Sequence, residues 1–92
     1  MLSSIKESFP IGKLYRAKRW IRINDKQSGE IQPSDRWIDE GTVFMLLDIT
    51  PIVFGEQTGE QTGHCFKMLQ AKKTIYANFL DDQPPMFIES IL

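Results

Sequence analysis

The chain has 92 residues and a formal net charge of -1, and 41% of its residues are hydrophobic. This composition is enough for one domain with a modest core that needs neither a metal ion nor disulfides. The near-zero net charge argues against general binding of duplex DNA, which usually requires a broad excess of Lys and Arg.

The N-terminal residues and the single cysteine favour a cytoplasmic protein. Residues 1–12 lack the uninterrupted apolar run of a signal peptide, and no stretch of about 18 apolar residues could span a membrane. Cys65 has no second cysteine to pair with, which fits a reducing compartment. Residues 1–11 are predicted to form an N-terminal extension with one or two helical turns, and residues 12–92 a single domain.

The first predicted strand runs from Gly12 to Ile23 and carries an unusual amount of charge. Because side chains alternate along a strand, one face would carry Arg16, Lys18, Trp20 and Arg22. The opposite face would carry Tyr15, Ala17, Arg19, Ile21 and Ile23. The sequence therefore predicts a core face and a binding face. Which of them Trp20 occupies stays open, because Arg19 interrupts the apolar face.

Residues 24–41 are predicted to form one long loop, because turn-forming residues are dense there. Trp37 and Ile38 are expected to pin this loop to the domain, and residues 34–41 could instead supply one helical turn. Residues 42–50 are the clearest strand, central to the fold and ended by Pro51. The tandem repeat GEQTGEQTG at residues 55–63 predicts an exposed, flexible hairpin connection.

The remaining residues are predicted to form a β-hairpin, a turn and a last short strand. The hairpin strands cover residues 64–70 and 74–79, with a turn near Ala71. Residues 80–85 predict a tight turn or a 3₁₀ element, and residues 86–92 the last strand. Five or six short strands with little helix predict an all-β fold, a small closed or partly open barrel.

The order of these elements resembles small SH3-like barrels, and in particular small accessory proteins of bacteriophages. In SH3-like barrels a long loop follows the first strand, here GKLYRAKRWIRI, and a one-turn 3₁₀ element precedes the last, here FIESI. The phage proteins are similar in a GTVFMLLDI-type strand followed by a short FKML strand. The resemblance covers residues 12–92 and implies a binding module, with host takeover or counter-defence in the host cytoplasm. A proline-rich ligand is not implied, because the ALYDY-like string is missing.

The titratable residues do not predict an enzyme, a cofactor or a metal site. His64 and Cys65 are the only residues of their types, and neighbours in a strand point to opposite faces. They are expected to be an exposed loop histidine and a buried thiol. The acidic pairs Asp39-Glu40 and Asp81-Asp82 lie next to turn residues, where solvation accounts for them.

Basic and aromatic residues form the candidate site. Stacking of a nucleobase on tryptophan contributes about 1–3 kcal/mol, and guanidinium groups bind phosphate bidentately. The pattern predicts a non-catalytic module that captures a cyclic nucleotide signal or a short single-stranded nucleic acid. The predicted ligand-binding residues are Arg16, Lys18, Trp20, Arg22, Arg36, Trp37, Tyr76 and Asn78.

Other interpretations of these residues stay open. The tryptophans could pack into the barrel, with the stems of the charged side chains covering apolar surface. Alternatively, the same basic face could bind and inhibit a host protein through an acidic patch. The apolar C-terminal strand could pair across a subunit boundary, so a homo-oligomer is a further expectation.

Overall fold

A computed structural model describes residues 5–26, 36–54, 59 and 61–91, most of which lie in β-strands. The predicted all-β class is confirmed, and both helical elements in these ranges are single turns. The elements in chain order are α1 (Ile5–Ser8), β1 (Leu14–Ala17), β2 (Ile21–Arg22), β3 (Trp37–Ile38), β4 (Val43–Phe54), β5 (Gln61–Gln70), β6 (Lys73–Leu80), α2 (Pro84–Phe87) and β7 (Ile88–Ser90).

Five strands form an antiparallel sheet in the order β6-β5-β4-β1-β7, and β2 and β3 pair separately as a two-stranded ribbon. Both sheets are open. The ribbon is joined to the edge strand β6 by one backbone bridge, in which Asn24 and Tyr76 exchange hydrogen bonds of 2.8 and 2.9 Å. The ribbon is thus connected to the sheet at β1 through the chain and at β6 through this bridge.

The sheet and the ribbon share one hydrophobic core. The Phe66 ring lies at its centre, with ring centroids at 5.8 Å to Phe9 and 5.2 Å to Phe79. The Tyr15 hydroxyl donates to the Pro10 carbonyl at 2.7 Å, and burial raises the pKa of Tyr15, so the phenol stays protonated and able to donate. The largest fully buried side chains include Tyr15, Phe44, Leu46, Phe66, Met68, Ile75 and Ile88.

The prediction of one strand from Gly12 to Ile23 is wrong, because a bend at Lys18 and Arg19 divides it into β1 and β2. The alternation predicted on either side of the bend is confirmed. The sequence places Arg19 on the core face, but the backbone leaves the strand there. Its guanidinium is exposed and lies 5.3 Å from the centroid of the Phe87 ring. The buried residues of this stretch are Tyr15, Ala17, Ile21 and Ile23.

Strand β4 continues past Pro51, which the sequence predicts as its end, and reaches Phe54. Pro51 lies opposite His64 of β5. Beyond Leu46, the described strands give β4 a neighbour only on the β5 side, so a residue without an N–H is tolerated there.

His64 lies within β5 and is half-buried, so it is not the exposed loop residue that the sequence predicts.

The long loop predicted at residues 24–41 contains strand β3. Ile38 is buried and pins the loop to the core as predicted, whereas Trp37 is 55% exposed. Residues 36–41 are extended or in a turn, so a helical turn is wrong for that part of residues 34–41. Residues 27–35 lie outside the described residues. So do residues 55–58 and 60 of the GEQT repeats, while residues 61–63 belong to β5.

The predicted C-terminal hairpin is confirmed as β5 and β6, joined by a two-residue turn. The turn residues Ala71 and Lys72 have φ angles of 50° and 67°. Tight hairpins favour this left-handed backbone but usually place Asn or Gly there. Residues 84–87 form the helical turn α2, so β7 is shorter than the predicted last strand.

Replacing Lys72 with Gly should leave the free energy of unfolding unchanged or raise it, whereas Lys73→Gly should lower it by about 0.5–1 kcal/mol. A left-handed backbone costs a non-glycine residue roughly 1–2 kcal/mol, which offsets the entropic cost of glycine at position 72. Lys73 lies in β6 without a positive φ, so glycine there only weakens the strand. Urea denaturation measures the difference, and equal losses would contradict a strained turn.

Phe9→Ala should lower the free energy of unfolding by about 3–5 kcal/mol, because it removes a buried aromatic ring. Phe9 is 7% exposed. Ile11→Ala is the matched control: Ile11 is 40% exposed, so its loss should stay below about 0.5 kcal/mol. If Phe9→Ala lost as little stability in urea denaturation as Ile11→Ala, this N-terminal segment would contribute nothing to the cooperative core.

Candidate ligand-binding cleft

The inner face of the β2–β3 ribbon holds it against the core. Ile21 and Ile38 lie opposite one another in the antiparallel register and, with Ile23, are at most 6% exposed. The Ile23 amide donates to the Arg36 carbonyl at 3.0 Å, which extends the ribbon toward the bridge at Asn24. Because side chains alternate along a strand, the neighbouring residues on both strands face solvent.

The outer face of the ribbon carries both tryptophans of the chain. Arg22 lies opposite Trp37, and continuing this register places Trp20 opposite Asp39. The side chains of Trp20 and Trp37 are 57% and 55% exposed. Trp20 therefore faces solvent and not the core. These four residues line an open cleft of about 270 Å³, the tryptophan cleft.

Continuing the register of the ribbon sets the two tryptophans of the tryptophan cleft on a diagonal across its two strands. Diagonal cross-strand neighbours are roughly 7–8 Å apart. Among the described residues, neither Trp20 nor Trp37 has an aromatic ring contact. A flat ring between two others needs about twice the 3.5 Å contact distance between carbon atoms. Two indoles that project from diagonal positions at this typical spacing would hold one planar ring between them.

Two of the predicted ligand-binding cations, Arg16 and Lys18, form hydrogen bonds with other residues of the chain. Arg16 donates through Nε and Nη2 to one carboxylate oxygen of Glu89, at 3.0 and 2.8 Å. Lys18 Nζ donates to the Pro85 carbonyl at 3.0 Å. Both cations line a second cleft, of about 260 Å³, together with Glu40 and Glu89. Arg16 is therefore paired with a carboxylate and Lys18 with a backbone carbonyl, and the bend at Lys18 and Arg19 separates both from Arg22.

Three further predicted site residues lie outside the tryptophan cleft. Arg36 forms an ion pair with Asp25. Tyr76 and Asn78 are half-buried on β6, and the contact of Tyr76 with the ribbon is its backbone bridge to Asn24. Of the eight residues that the sequence predicts, the tryptophan cleft brings together Trp20, Arg22 and Trp37.

Arg22 is the predicted cation that lies in the tryptophan cleft, and no described carboxylate forms a salt bridge with it. Asp39 lines the same cleft, although the sequence assigns it to a solvated turn. The register of the ribbon is the signal that would have found Asp39, since it sets Asp39 opposite Trp20. The cleft thus offers two ring faces, one guanidinium donor and one carboxylate acceptor.

The histidine and the cysteine lie on opposite sides of β5. Cys65 is buried, while His64 Nδ1 lies 3.2 Å from a carboxylate oxygen of Asp81. The Thr62 hydroxyl donates to the same carboxylate group. Among the described residues, no group of three His, Cys, Asp or Glu side chains is placed to hold a metal ion.

Comparison with known proteins leaves the tryptophan cleft as the basis for assigning a function. No protein-family model, curated protein or solved structure matches the chain. Within the described ranges, both helices are far too short to cross a membrane. What the cleft can bind therefore has to follow from its own side chains.

Trp20→Ala and Trp37→Ala should each change the free energy of unfolding by less than about 1 kcal/mol, because both indoles are largely exposed. Ile21→Ala, on the inner face of the same ribbon, should cost about 2–5 kcal/mol. Urea denaturation followed by circular dichroism compares the three variants. A tryptophan variant that loses as much stability as Ile21→Ala would mean that its indole belongs to the core.

Proposed function

We propose that this protein is a non-catalytic binding module that captures a nucleotide-type ligand in the tryptophan cleft. The observation that supports this most is the exposure of Trp20 and Trp37 on one face of the ribbon, without a ring contact to each other. Large apolar side chains grouped on a surface and bordered by charge are typical of binding sites. Their inner-face neighbours anchor the ribbon, so this exposure is built into the fold.

The chemistry of the tryptophan cleft fits one nucleobase with an attached anionic group. Stacking on an indole contributes about 1–3 kcal/mol per base and tolerates any base. The guanidinium of Arg22 matches the fork geometry of a phosphate. A volume of about 270 Å³ lies just below the usual range of about 300–1,000 Å³ for small-molecule pockets. The cleft therefore suits a single base, from a cyclic nucleotide or from a short single strand.

We also propose that the sheet and the ribbon together are an SH3-like barrel. Three features support this: β1 lies between β4 and β7, the ribbon interrupts the chain between β1 and β4, and a helical turn precedes β7. The Asn24–Tyr76 bridge brings the ribbon to the far edge of the sheet. In this fold the ribbon takes the place of the long loop after the first strand.

The setting that we propose is counter-defence by a bacteriophage in the host cytoplasm, where the protein would sequester a nucleotide immune signal. A protein that sequesters its ligand needs no catalytic step, because its effect depends only on the equilibrium between free and bound ligand. Assembly into a homo-oligomer would let neighbouring chains cover the open side of the tryptophan cleft. This setting follows from the resemblance in the order of the elements.

A second candidate function is binding and inhibition of a host protein. It is favoured by the composition of the tryptophan cleft, since Trp and Arg are enriched among the residues that dominate protein interfaces. Arg16 and Lys18 would then lie at the border of the interface, where charges mainly affect the rate of association. In this case the cleft receives a side chain of the partner.

A panel of mononucleotides, cyclic nucleotides and short single-stranded oligonucleotides should contain a ligand that quenches the tryptophan fluorescence of the protein. Both tryptophans of the chain lie in the cleft, so stacking of a base changes the whole signal. At a ligand concentration of about 100 times Kd, Tm should rise by roughly 10–20 °C. Arg22→Gln should weaken binding by about 10–100-fold, because it removes a charged hydrogen bond.

Arg16→Gln is the matched control, because Arg16 already binds Glu89, and it should leave the affinity within about threefold of wild type. Unchanged fluorescence and Tm across the whole panel, with a folded protein, would overturn nucleotide capture. Recovery of a host protein that Trp37→Ala fails to bind would then support the second candidate.

A further inference from the structure

Asp39 lines the tryptophan cleft, although binding a nucleotide without regard to its base would not require a carboxylate there. Its carboxylate lines the same cleft as Arg22, where it opposes the approach of a phosphate group. An ionised carboxylate only accepts hydrogen bonds. A ligand that fills the cleft therefore has to place N–H or O–H donors at Asp39, or leave that carboxylate poorly solvated.

We infer that the tryptophan cleft selects guanine. This inference rests on the proposed function, since it concerns which base the cleft takes. The Watson–Crick edge of guanine carries two adjacent donors, N1–H and the 2-amino group, which match the two oxygens of one carboxylate. Adenine and cytosine each place a ring acceptor beside their single amino group, and that acceptor would face the carboxylate. Uracil has one N–H between two acceptors.

The positions of the charged residues on the ribbon agree with such a ligand. Arg22 and Trp37 form one cross-strand pair, and continuing this register beyond the strand ends sets Trp20 opposite Asp39. The two indoles therefore occupy one diagonal, and Asp39 and Arg22 occupy the other. A base that stacks between the indoles meets the carboxylate at one edge, while Arg22 lies on the opposite side, where the phosphate can reach it.

An organic cation is the other ligand that two indoles and a carboxylate could hold, through cation–π contacts. Arg22 argues against it, because it lies directly opposite Trp37 on the same face. A second cation there would be repelled by the guanidinium. A guanine nucleotide instead uses both charges of the cleft, one for its base and one for its phosphate.

The test compares GMP, IMP and AMP by quenching of tryptophan fluorescence, with wild type, Asp39→Asn and Glu40→Gln. Wild type should bind GMP about 10–100-fold more tightly than AMP, from hydrogen bonds to a charged group. IMP lacks the 2-amino group and should lie between them. Asp39→Asn should lose the preference for GMP. Glu40→Gln, which neutralises the adjacent carboxylate in the second cleft, should keep it.

The outcomes separate this inference from the proposed function. Equal affinities of wild type for the three nucleotides, or a preference for GMP that survives in Asp39→Asn, would overturn guanine selection and leave base capture standing. No binding of any of the three at millimolar concentration would overturn guanine selection, and it would overturn nucleotide capture as well only if the cyclic nucleotides and oligonucleotides of the panel also fail to bind. Because GMP, IMP and AMP are first compared on wild type, that comparison does not depend on the folding of a variant.

Discussion

A charged guanidinium cannot be buried among apolar side chains without a partner, and this constraint on Arg19 shapes the first part of the fold. An unbroken strand would place Arg19 in the core between Ala17 and Ile21, which are both buried. The bend releases it to the surface, where it lies over the Phe87 ring. The same bend carries the chain from the large sheet into the ribbon. The tryptophan cleft exists because the chain leaves the sheet at this point.

The positively charged side chains of β1 and of the bend that follows it contact the C-terminal elements. Arg16 pairs with Glu89 on β7, Lys18 binds the Pro85 carbonyl in α2, and Arg19 contacts α2 as well. Exposed ion pairs contribute only about 0–1 kcal/mol each. They therefore orient the last strand more than they stabilise it. Much of what looks like a basic binding face is the contact between the two ends of the domain.

Local rules predicted most of the secondary structure and part of the cleft. Period-two alternation placed Trp20 and Arg22 on the face opposite Ile21, and turn chemistry located the C-terminal hairpin. The register of the ribbon could not be predicted, because it joins residues on either side of a long intervening segment through the tertiary burial of Ile38. Asp39 was missed for this reason, since only the register sets it beside the tryptophans.

Other differences from the sequence arose where a local rule met a tertiary contact. Proline usually ends a strand, but Pro51 lies where β4 has a described neighbour on one side only, so the ladder is not interrupted. Likewise, Ala71 and Lys72 adopt a left-handed backbone because the pairing of β5 with β6 requires a two-residue turn. At Pro51 the position in the sheet removes the cost of proline, and at Ala71 and Lys72 the hydrogen bonds of the sheet outweigh the preference of the residues.

The balance of charge in the tryptophan cleft favours discrimination between ligands over raw affinity. A carboxylate about 8 Å from a phosphate in water costs roughly 0.5 kcal/mol, whereas an unpaired polar group at a binding site costs about 1–3 kcal/mol. In the proposed complex, Asp39 would therefore weaken every phosphate ligand slightly and a ligand with the wrong hydrogen-bonding edge much more. The isoleucines on the inner face keep the ribbon in place without a ligand, so little ordering is needed on binding. In the proposed complex, stacking would supply the affinity, Arg22 would bind the phosphate, and Asp39 would determine which base is accepted.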